Sequence, residues 1–458
     1  MKWKFSLFRW TNRKFLLRAA FLVFSFGVLL FLGYRFFTLE RPIPPPPRLL
    51  VPRPLPVEID RNRNGVPDKW ELGLSKKFNP CMAFTGKKIW PIDHNYLWAN
   101  NSPLKARIYL QKGNHLTFLR EKTVLSSQDL LTRNWSNLPR RYVKRINGKK
   151  YTFLVRYYSD GPGENLGPGK DRMSWDKAFL ALQGGTLKNP SQRPYPPTQY
   201  VHFFWKSPDI LGIQYWFYYP FNKCINNHEG DWEHINILLR LKGKTLEKFN
   251  PQKNHQTPLR YQFFFHHYYI ETSNVYRFRD KNGVRGDHVL VFVGGYSSFL
   301  IPDIQWKTAL GGWFPFAVPR WEGEYSGGSY PQPGWYANVG GFGPLQAREE
   351  VLPRRLIHAN DFRLVLLADP EHMDFDRYPH LSWLNLEFYS GNWSCDWNAQ
   401  IIKWAKGHRA PLQPAFKPNW NGNSIFPPWK AWQKSKLSIF HPPAHWKVIQ
   451  KADPKLFR

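Results

Sequence analysis

Short apolar and aromatic runs, separated by turn residues, recur along the second half of the chain. Between residues 200 and 420 the runs long enough for strands are YVHFFW, IQYWFYYP, HINILLRL, YQFFFHHYYIE, HVLVFVGGY and DFRLVLLAD. Repeated short runs bounded by turn residues are typical of the strands of a β-sandwich. We therefore predict a mainly β protein, a β-sandwich with long aromatic loops.

The region before residue 200 predicts further β structure and one helix. ARIYLQKGNHLTFL and RYVKRINGKKYTFLVRYYSD read as strands, with a hairpin turn at Asn147-Gly148. WDKAFLALQGG predicts a short helix that ends at glycine. Further on, the glycine- and aromatic-rich stretch 311–343 predicts a long surface loop. Its aromatic residues could stack on sugars, enter a membrane interface or pack over one end of the sandwich.

Composition and charge indicate which classes of molecule the protein could bind. The chain has 458 residues, 42% of them hydrophobic and 17% aromatic, with 40 prolines, which favours strands and loops over long helices. Its formal net charge of +32 predicts attraction to anionic lipid headgroups, acidic polysaccharide or nucleic acid. No nucleic-acid fold signature is present, so we expect no specific nucleic-acid partner. An acidic external habitat would also favour such a surface.

The N-terminus predicts a membrane anchor. Basic residues precede an uncharged apolar run at 19–34, and they are Lys2, Lys4, Arg9, Arg13, Lys14 and Arg18. With 15–18 included the segment is long enough to cross a bilayer, so we predict an uncleaved signal anchor with the rest of the chain exported. A cleaved signal peptide is the alternative. The Pro-rich residues 39–57 predict an extended linker.

A calcium-loop pattern follows the linker. DRNRNGVPDKWE fits the EF-hand pattern, in which short polar side chains wrap the ion and a glutamate closes the loop. The expected Ca²⁺ ligands are Asp60, Asn62, Asn64, the carbonyl of Val66, Asp68 and Glu71. With two asparagines among them, we expect a dissociation constant of roughly 10⁻⁴–10⁻³ M. The alternative is an Asn/Gly-rich turn without metal.

A second candidate metal site lies in the stretch HEGDWEHINILL. Side chains alternate across a strand, so Asp231 and Glu233 share a face with Ile235 while Trp232 points the other way. His228 is placed to lean over the two carboxylates. This ligand set suits Ca²⁺, Mg²⁺ or Mn²⁺ and, less well, Zn²⁺. The alternative is that the two acids bind no metal, and instead accept hydrogen bonds from nearby backbone or form ion pairs with Lys and Arg.

The same stretch, preceded by IQYWFYYPFN, resembles the signature of the Vps62-related (vacuolar protein sorting 62) family. That family is similar in turn to the necrosis-inducing NLP proteins, in which a divalent cation is held by His, Asp and Glu. Those ligands correspond to His228, Asp231 and Glu233 here, and a further NLP Asp corresponds to Asn222. The calcium loop is similar to bacterial thrombospondin type 3-like repeats.

The resemblance covers roughly residues 200–420. DHVLVFVGGYSSFLIP, FYSGNWSCDW and APLQPAFKPNW match later segments of the family, but Ser298 replaces the histidine of its Gly-Ser-His-Ala turn. Chemistry that depends on that histidine is therefore not expected. Cys224 and Cys395 lie beside the two most distinctive segments and could pair in an oxidising compartment, which would leave Cys81 free. His266 and His267 are expected in mid-strand, one on each face, as core residues more often than as ligands.

Together these features predict an exported, membrane-anchored binding protein. Its ligand would be an anionic or sugar-bearing envelope component or lipid, gripped through the second metal. A metal-dependent hydrolase with Glu229 or a nearby His as base is the rival, although no Ser/His/Asp or H-E-x-x-H pattern favours an enzyme. A structural envelope protein is the third reading. The predicted regions are 1–38 (anchor), 39–57 (linker), 58–80 (calcium loop), 81–197 (N-terminal or accessory β region), 198–420 (sandwich) and 421–458 (basic tail).

Overall fold

The computed structural model describes most of the chain between residues 60 and 423. The described ranges are 60–84, 89–159, 161–162, 171–185, 190–222, 228–241, 258–265, 268–279, 285–300, 327–337, 346–351, 355–391 and 412–423. The predicted anchor and linker lie outside these ranges, as do Cys224, Cys395 and the tail from residue 424 onward. Within the described residues, no helix combines the length and apolar character needed to span a bilayer.

The protein is mainly β, with short helices between the strands. The α-helices are α1 (Asp68–Phe78), α2 (Ser127–Thr132) and α3 (Asp171–Leu182). The 3-10 turns are His94–Asn101, Pro190–Gln192, Ala359–Asp361, Pro370–His372, Pro379–Asn385, Pro414–Phe416 and Trp420–Gly422. The strands are β1 (Cys81–Phe84), β2 (Leu104–Lys112), β3 (His115–Leu125), β4 (Arg141–Ile146), β5 (Lys149–Ser159), β6 (Thr198–Ser207), β7 (Ile210–Asn222), β8 (His228–Arg240), β9 (Arg260–Phe265), β10 (Tyr268–Thr272), β11 (Arg277–Arg279), β12 (Arg285–Val293), β13 (Tyr296–Leu300), β14 (Ser329–Tyr330), β15 (Gly334–Ala337), β16 (Gln346–Val351), β17 (Arg355–Ile357), β18 (Arg363–Leu367) and β19 (Phe388–Tyr389).

The described strands form four sheets, three of which contain a parallel pair of strands. The central sheet has the order β10-β9-β8-β7-β6-β18 and is antiparallel except for the parallel pair of β6 and β18. A second sheet has the order β11-β12-β1-β17, with β14 paired to β12. The order β19-β5-β2-β3, with β4 on β5, makes the third sheet, and β13-β16-β15 make the fourth. The parallel pairs within these sheets depart from the purely antiparallel pattern that is usual in sandwiches.

The first two sheets share one hydrophobic core. Met82 and Val291 of the second sheet belong to the same buried cluster as Ile213, Tyr215 and Ile237 of the central sheet. The side chains of these residues are fully buried, so the contact between the two sheets removes their apolar surface from water. Strand β1 is thus built into the main body, although it lies far from β12 along the chain.

An aromatic cluster packs against the other side of the central sheet. The ring of His94 lies 4.6 Å from Tyr218, 4.7 Å from Trp383 and 5.3 Å from Trp232, measured between ring centroids. Burial lowers the pKa of His94 to about 3, so the imidazole is neutral. The backbone N–H of His94 donates to the Tyr200 hydroxyl at 2.8 Å. This cluster holds Trp232 on one face of β8.

The predicted hairpin and the predicted helix are present. Asn147-Gly148 joins β4 to β5 as predicted, and Gly113-Asn114 joins β2 to β3 in a hairpin that was not predicted. Asn147 and Gly148 both have positive φ, 49° and 76°, as a tight hairpin turn requires. The helix predicted around residues 175–185 is α3.

Two expectations about the second half are wrong. The run YQFFFHHYYIE is two strands instead of one, since β9 ends at Phe265 and Tyr268 of β10 pairs with it. His266 and His267, which were expected in mid-strand, lie outside the described residues. The stretch 311–343 is also more than a surface loop, because Ser329 and Tyr330 are fully buried in β14.

Candidate metal centres

In the predicted calcium loop, residues 60–71, the backbone folds around the polar side chains of the loop. Its first residue, Asp60, accepts the backbone N–H of Asn64 at 3.2 Å and of Gly65 at 2.7 Å. Gly65 has a φ of 80°, the left-handed conformation that lets the chain reverse sharply. Helix α1 then begins at Asp68, which places Glu71 in the first helical turn and back over the loop.

Glu71 is the centre of the loop. The side-chain amide of Asn62 donates to Glu71 Oε1 at 2.8 Å, and the amide of Asn64 donates to the same oxygen. Burial raises the pKa of Glu71 to about 7, against the two amides, which lower it. The backbone N–H of Arg61 donates to Asp68 at 2.9 Å. The side-chain amides of Asn62 and Asn64 thus direct the positive ends of their N–H dipoles at the Glu71 carboxylate, where a bound cation would place a full positive charge.

The loop is fixed to the central sheet. The indole N–H of Trp205 in β6 donates to the Asn64 carbonyl at 3.0 Å. The Ser75 hydroxyl donates to the Glu71 carbonyl at 2.7 Å, and the Tyr215 hydroxyl in β7 donates to the Ser75 carbonyl at 3.0 Å. The loop and α1 are therefore part of the main body, and a change in the loop acts directly on β6 and β7.

The acids of the second predicted site lie where β7 ends and β8 begins. Asn222 pairs with His228 in the strand register, and its amide donates to Asp231 Oδ2 at 3.3 Å. Asp231 and Glu233 are 6% and 7% exposed. A Cβ placed on Gly327 would lie 3.1 Å from Asp231 Oδ2 and 3.3 Å from Glu233 Cγ. The structure therefore brings Asn222, Asp231 and Glu233 together, beneath the backbone of Gly327; it does not describe the His228 side chain.

Gly230 lies within β8 in a left-handed conformation, with a φ of 64°, and β8 keeps one register with β7 on both sides of it. The residue before it, Glu229, is 4% exposed and lies beside Gly161. Burial, and after it the Glu229 carboxylate, raises the pKa of Tyr96 and of Tyr218, and Asp231 acts on Tyr218 in the same direction. Glu229 is therefore a buried carboxylate close to Tyr96 and Tyr218.

A lysine from far along the chain reaches the same strand. The Lys417 ammonium donates to the Trp232 carbonyl and lies 5.8 Å from the centroid of the Trp216 ring. Burial lowers the pKa of Lys417, and the carboxylates of Asp231 and Glu233 act in the opposite direction. The carboxylate pair therefore already has a cationic neighbour before any metal is considered.

A third group, which the sequence analysis did not single out, could also hold a metal ion. The ligand atoms of Asp369, Glu371 and His372 lie within 4.8 Å of one another. Asp369 Oδ1 accepts the Trp420 indole N–H at 3.1 Å and lies 3.2 Å from His202 Nε2. Such donors orient a ligating carboxylate. The signal available in the sequence is the short spacing Asp-Pro-Glu-His.

Comparison with known proteins adds little to this geometry. No protein-family model matches the sequence, and no curated protein matches it. One solved structure that matches is the crystal structure of the non-toxic HaNLP3 protein, at 20% identity over 22% of this chain and 40% of that chain. The TM-score is 0.16, which carries no argument about fold or function. The chain spans less than half of that protein.

Proposed function

We propose that this chain is a cation-dependent binding protein whose divalent ion is held by Asp231, Glu233, Asn222 and His228. The observation that supports it is the convergence of two buried carboxylates and one carboxamide where β7 ends and β8 begins. Lys417 supplies one positive charge to the two carboxylates, which leaves one negative charge to be compensated, and oxygen ligands of this kind suit Ca²⁺, Mg²⁺ or Mn²⁺. Since the protein supplies few ligands, such an ion would keep positions for ligand oxygens.

The proposed ligand is anionic or sugar-bearing, such as a glycolipid headgroup or an envelope polysaccharide. A net charge of +32 favours anionic partners, and a divalent ion coordinates hydroxyl and phosphate oxygens alike. The resemblance to Vps62-related and NLP proteins points the same way. The proposed setting is the exported side of a membrane, with the chain anchored through residues 1–38.

We also propose that residues 60–71 bind Ca²⁺ as a structural clip. The polar side chains of the loop surround Glu71, and Trp205 ties the loop to the central sheet. An ion there would replace the amide hydrogens around Glu71 and favour its ionised form. The loop would then hold α1 against β6 and β7.

One observation favours a second candidate, in which the metals only stabilise the fold. Asp231 and Glu233 are buried under Gly327, so a ligand reaches the ion only if that cover opens.

Ligand binding in the presence and absence of metal separates the two candidates. The full chain is tested on a glycan array and on glycolipid-containing vesicles, with and without EDTA, beside an Asp231→Asn/Glu233→Gln variant. The binding function predicts a bound ligand that is lost with EDTA and in the variant. A variant that binds like the unmodified chain would remove the basis for the proposal. Metal-dependent thermal stability without any ligand would support the structural role.

A further inference from the structure

The hairpins β2–β3 and β4–β5 extend away from the core as one exposed sheet. We call residues 109–120 and 141–154 the β-paddle. Gln111 pairs with Thr152, so the two hairpin turns at 113–114 and 147–148 lie at the same end. Residues 115–123 of β3 are all exposed. A strand that is open on both faces indicates a surface that is available to a partner.

Exposed apolar side chains are concentrated on the β-paddle. Of the eight large hydrophobic residues that are exposed in the described part of the chain, five belong to it. They are Leu116 (37%), Phe118 (54%), Leu119 (46%), Val143 (58%) and Ile146 (41%). Scattered single exposures need no explanation, but a cluster of this kind does.

The strand register places apolar and basic residues on the same face. One cross-strand row is Arg141, Leu154, Tyr109 and Phe118. The next row toward the turns is Val143, Thr152, Gln111 and Leu116, and Arg145 and Lys150 follow as a pair. Each apolar row therefore has a guanidinium or ammonium group beside it.

The charge of this end is strongly positive. Residues 141–150 contain five basic residues and no acidic one, namely Arg141, Lys144, Arg145, Lys149 and Lys150. All five are exposed, and no carboxylate of the described residues pairs with them. The surface therefore offers uncompensated cations next to apolar side chains.

The two edges of the β-paddle are unsuited to pairing with another strand. β3 is one edge strand, and its register with β2 shifts between Ile108 and Tyr109. β4 is the other, and it carries Arg141, Lys144 and Arg145. Bulges and charged edge residues such as Arg120 and Lys122 prevent edge-to-edge association. A second copy adding a strand is therefore disfavoured, which leaves the face of the sheet as the contact surface.

We propose that the β-paddle docks onto an anionic lipid surface, independently of the metal centres. Apolar side chains beside Lys and Arg match the boundary between acyl chains and anionic headgroups. Four of the five exposed apolar residues are aliphatic, which suits hydrocarbon better than base stacking, where aromatic side chains carry the contact. The β-paddle is thus a second contact with the membrane, besides the anchor predicted from the sequence.

A fluorescent dye that is sensitive to the polarity of its surroundings tests the docking in the full chain. Because the dye reports only on its own position, the test does not depend on whether the predicted anchor is inserted in the bilayer. The dye is attached at Asn114→Cys in the turn of β2–β3, and the protein is reconstituted in vesicles of phosphatidylcholine with or without phosphatidylserine. The dye emission is expected to shift to the blue only with phosphatidylserine. The shift should weaken at high salt. Dye at Tyr378→Cys, outside the β-paddle, and the labelled unsubstituted chain are the controls and should not respond.

Two variants separate the electrostatic and apolar contributions. Arg141→Gln/Arg145→Gln/Lys150→Gln, which removes basic residues of one face, should weaken docking on the order of 100-fold, at roughly fivefold per basic residue. Phe118→Ser/Val143→Ser should reduce the blue shift while the salt dependence remains. All replaced side chains are exposed, and unchanged thermal unfolding checks that the fold is retained.

Three results would overturn the docking surface. These are no blue shift in either vesicle, an equal shift without phosphatidylserine, or a shift that survives loss of the three basic residues. Tight binding of single-stranded RNA by fluorescence anisotropy, with no lipid response, would assign the face to nucleic acid instead. Docking should persist in EDTA and in the Asp231→Asn variant. The test of the β-paddle is therefore independent of whether the proposed metal-dependent ligand binds.

Discussion

At the residue scale, spacing alone predicts which groups meet in the calcium loop but not how they bond. The pattern from Asp60 to Glu71 places Asn62 and Asn64 around Glu71, as the structure shows. The orientation of the Asn62 and Asn64 amides depends on whether a metal ion occupies the loop, and the sequence carries no information about that occupancy. Lys417 was not predicted near Asp231 for a different reason, since that contact depends on the path of a distant segment.

Glu71 gives the metal-free protein a characteristic pH dependence. Its pKa is about 7 in the folded protein against an ordinary 4.5, so the folded state holds more protons between these values. Stability should therefore fall as pH rises from 4.5 to 7, by roughly 3 kcal/mol at most. Thermal unfolding in EGTA measures the slope. Glu71→Gln should remove this component of the slope, and Glu387→Gln, an exposed control, should leave it intact.

At the element scale, periodicity predicts much of β8. Trp232 packs in the aromatic cluster and Asp231 faces Gly327, as alternation predicts. The left-handed conformation of Gly230 is a feature that a period of two does not show. The division of the run YQFFFHHYYIE into β9 and β10 was missed because the run contains no Gly, Pro or Asn.

Replacing Gly230 should therefore be costly. Gly230→Ala places a Cβ 2.1 Å from the Ser390 carbonyl oxygen in a left-handed backbone, so we expect a loss of about 2 kcal/mol or more. Gly73→Ala in α1 is the matched control, because no atom lies within 4 Å of its Cβ. In a helix it should gain about 0.5–1 kcal/mol. Equal denaturation midpoints for the two variants would show that the left-handed conformation of Gly230 is not required.

At the scale of the whole molecule, composition predicts a mainly β protein but not how its sheets join. Runs of aromatic and β-branched residues predict most of the central-sheet strands. The parallel pairing of β1 with β12 and of β6 with β18 joins segments far apart in the chain, and no local pattern encodes such pairs. The third candidate centre arises in the same way, since His202 and Trp420 reach Asp369 only through the fold.

Because the calcium loop is tied to β6 and β7, calcium should stabilise the whole molecule. With a dissociation constant of roughly 10⁻⁴–10⁻³ M, 10 mM Ca²⁺ should add about 1.4–2.7 kcal/mol to the free energy of unfolding. Denaturant titration with calcium and with EGTA measures the difference. Asp60→Asn/Glu71→Gln should remove this contribution and leave only what a calcium ion at Asp231 and Glu233 would add. An equal calcium effect in that variant would place the stabilising ion elsewhere.

The central claim, a divalent ion at Asp231 and Glu233, is tested most directly by the metal content of the purified full chain. Mass spectrometry is run on the unmodified chain and on three variants: Asp231→Asn/Glu233→Gln, Asp60→Asn/Glu71→Gln and Glu371→Gln/His372→Gln. The first variant should lose one ion per chain relative to the unmodified protein, and the second should lose another. The third variant determines whether the Asp369 group adds an ion of its own. If the Asp231/Glu233 variant keeps the full metal content of the unmodified chain, those carboxylates hold no ion and the proposed site is wrong.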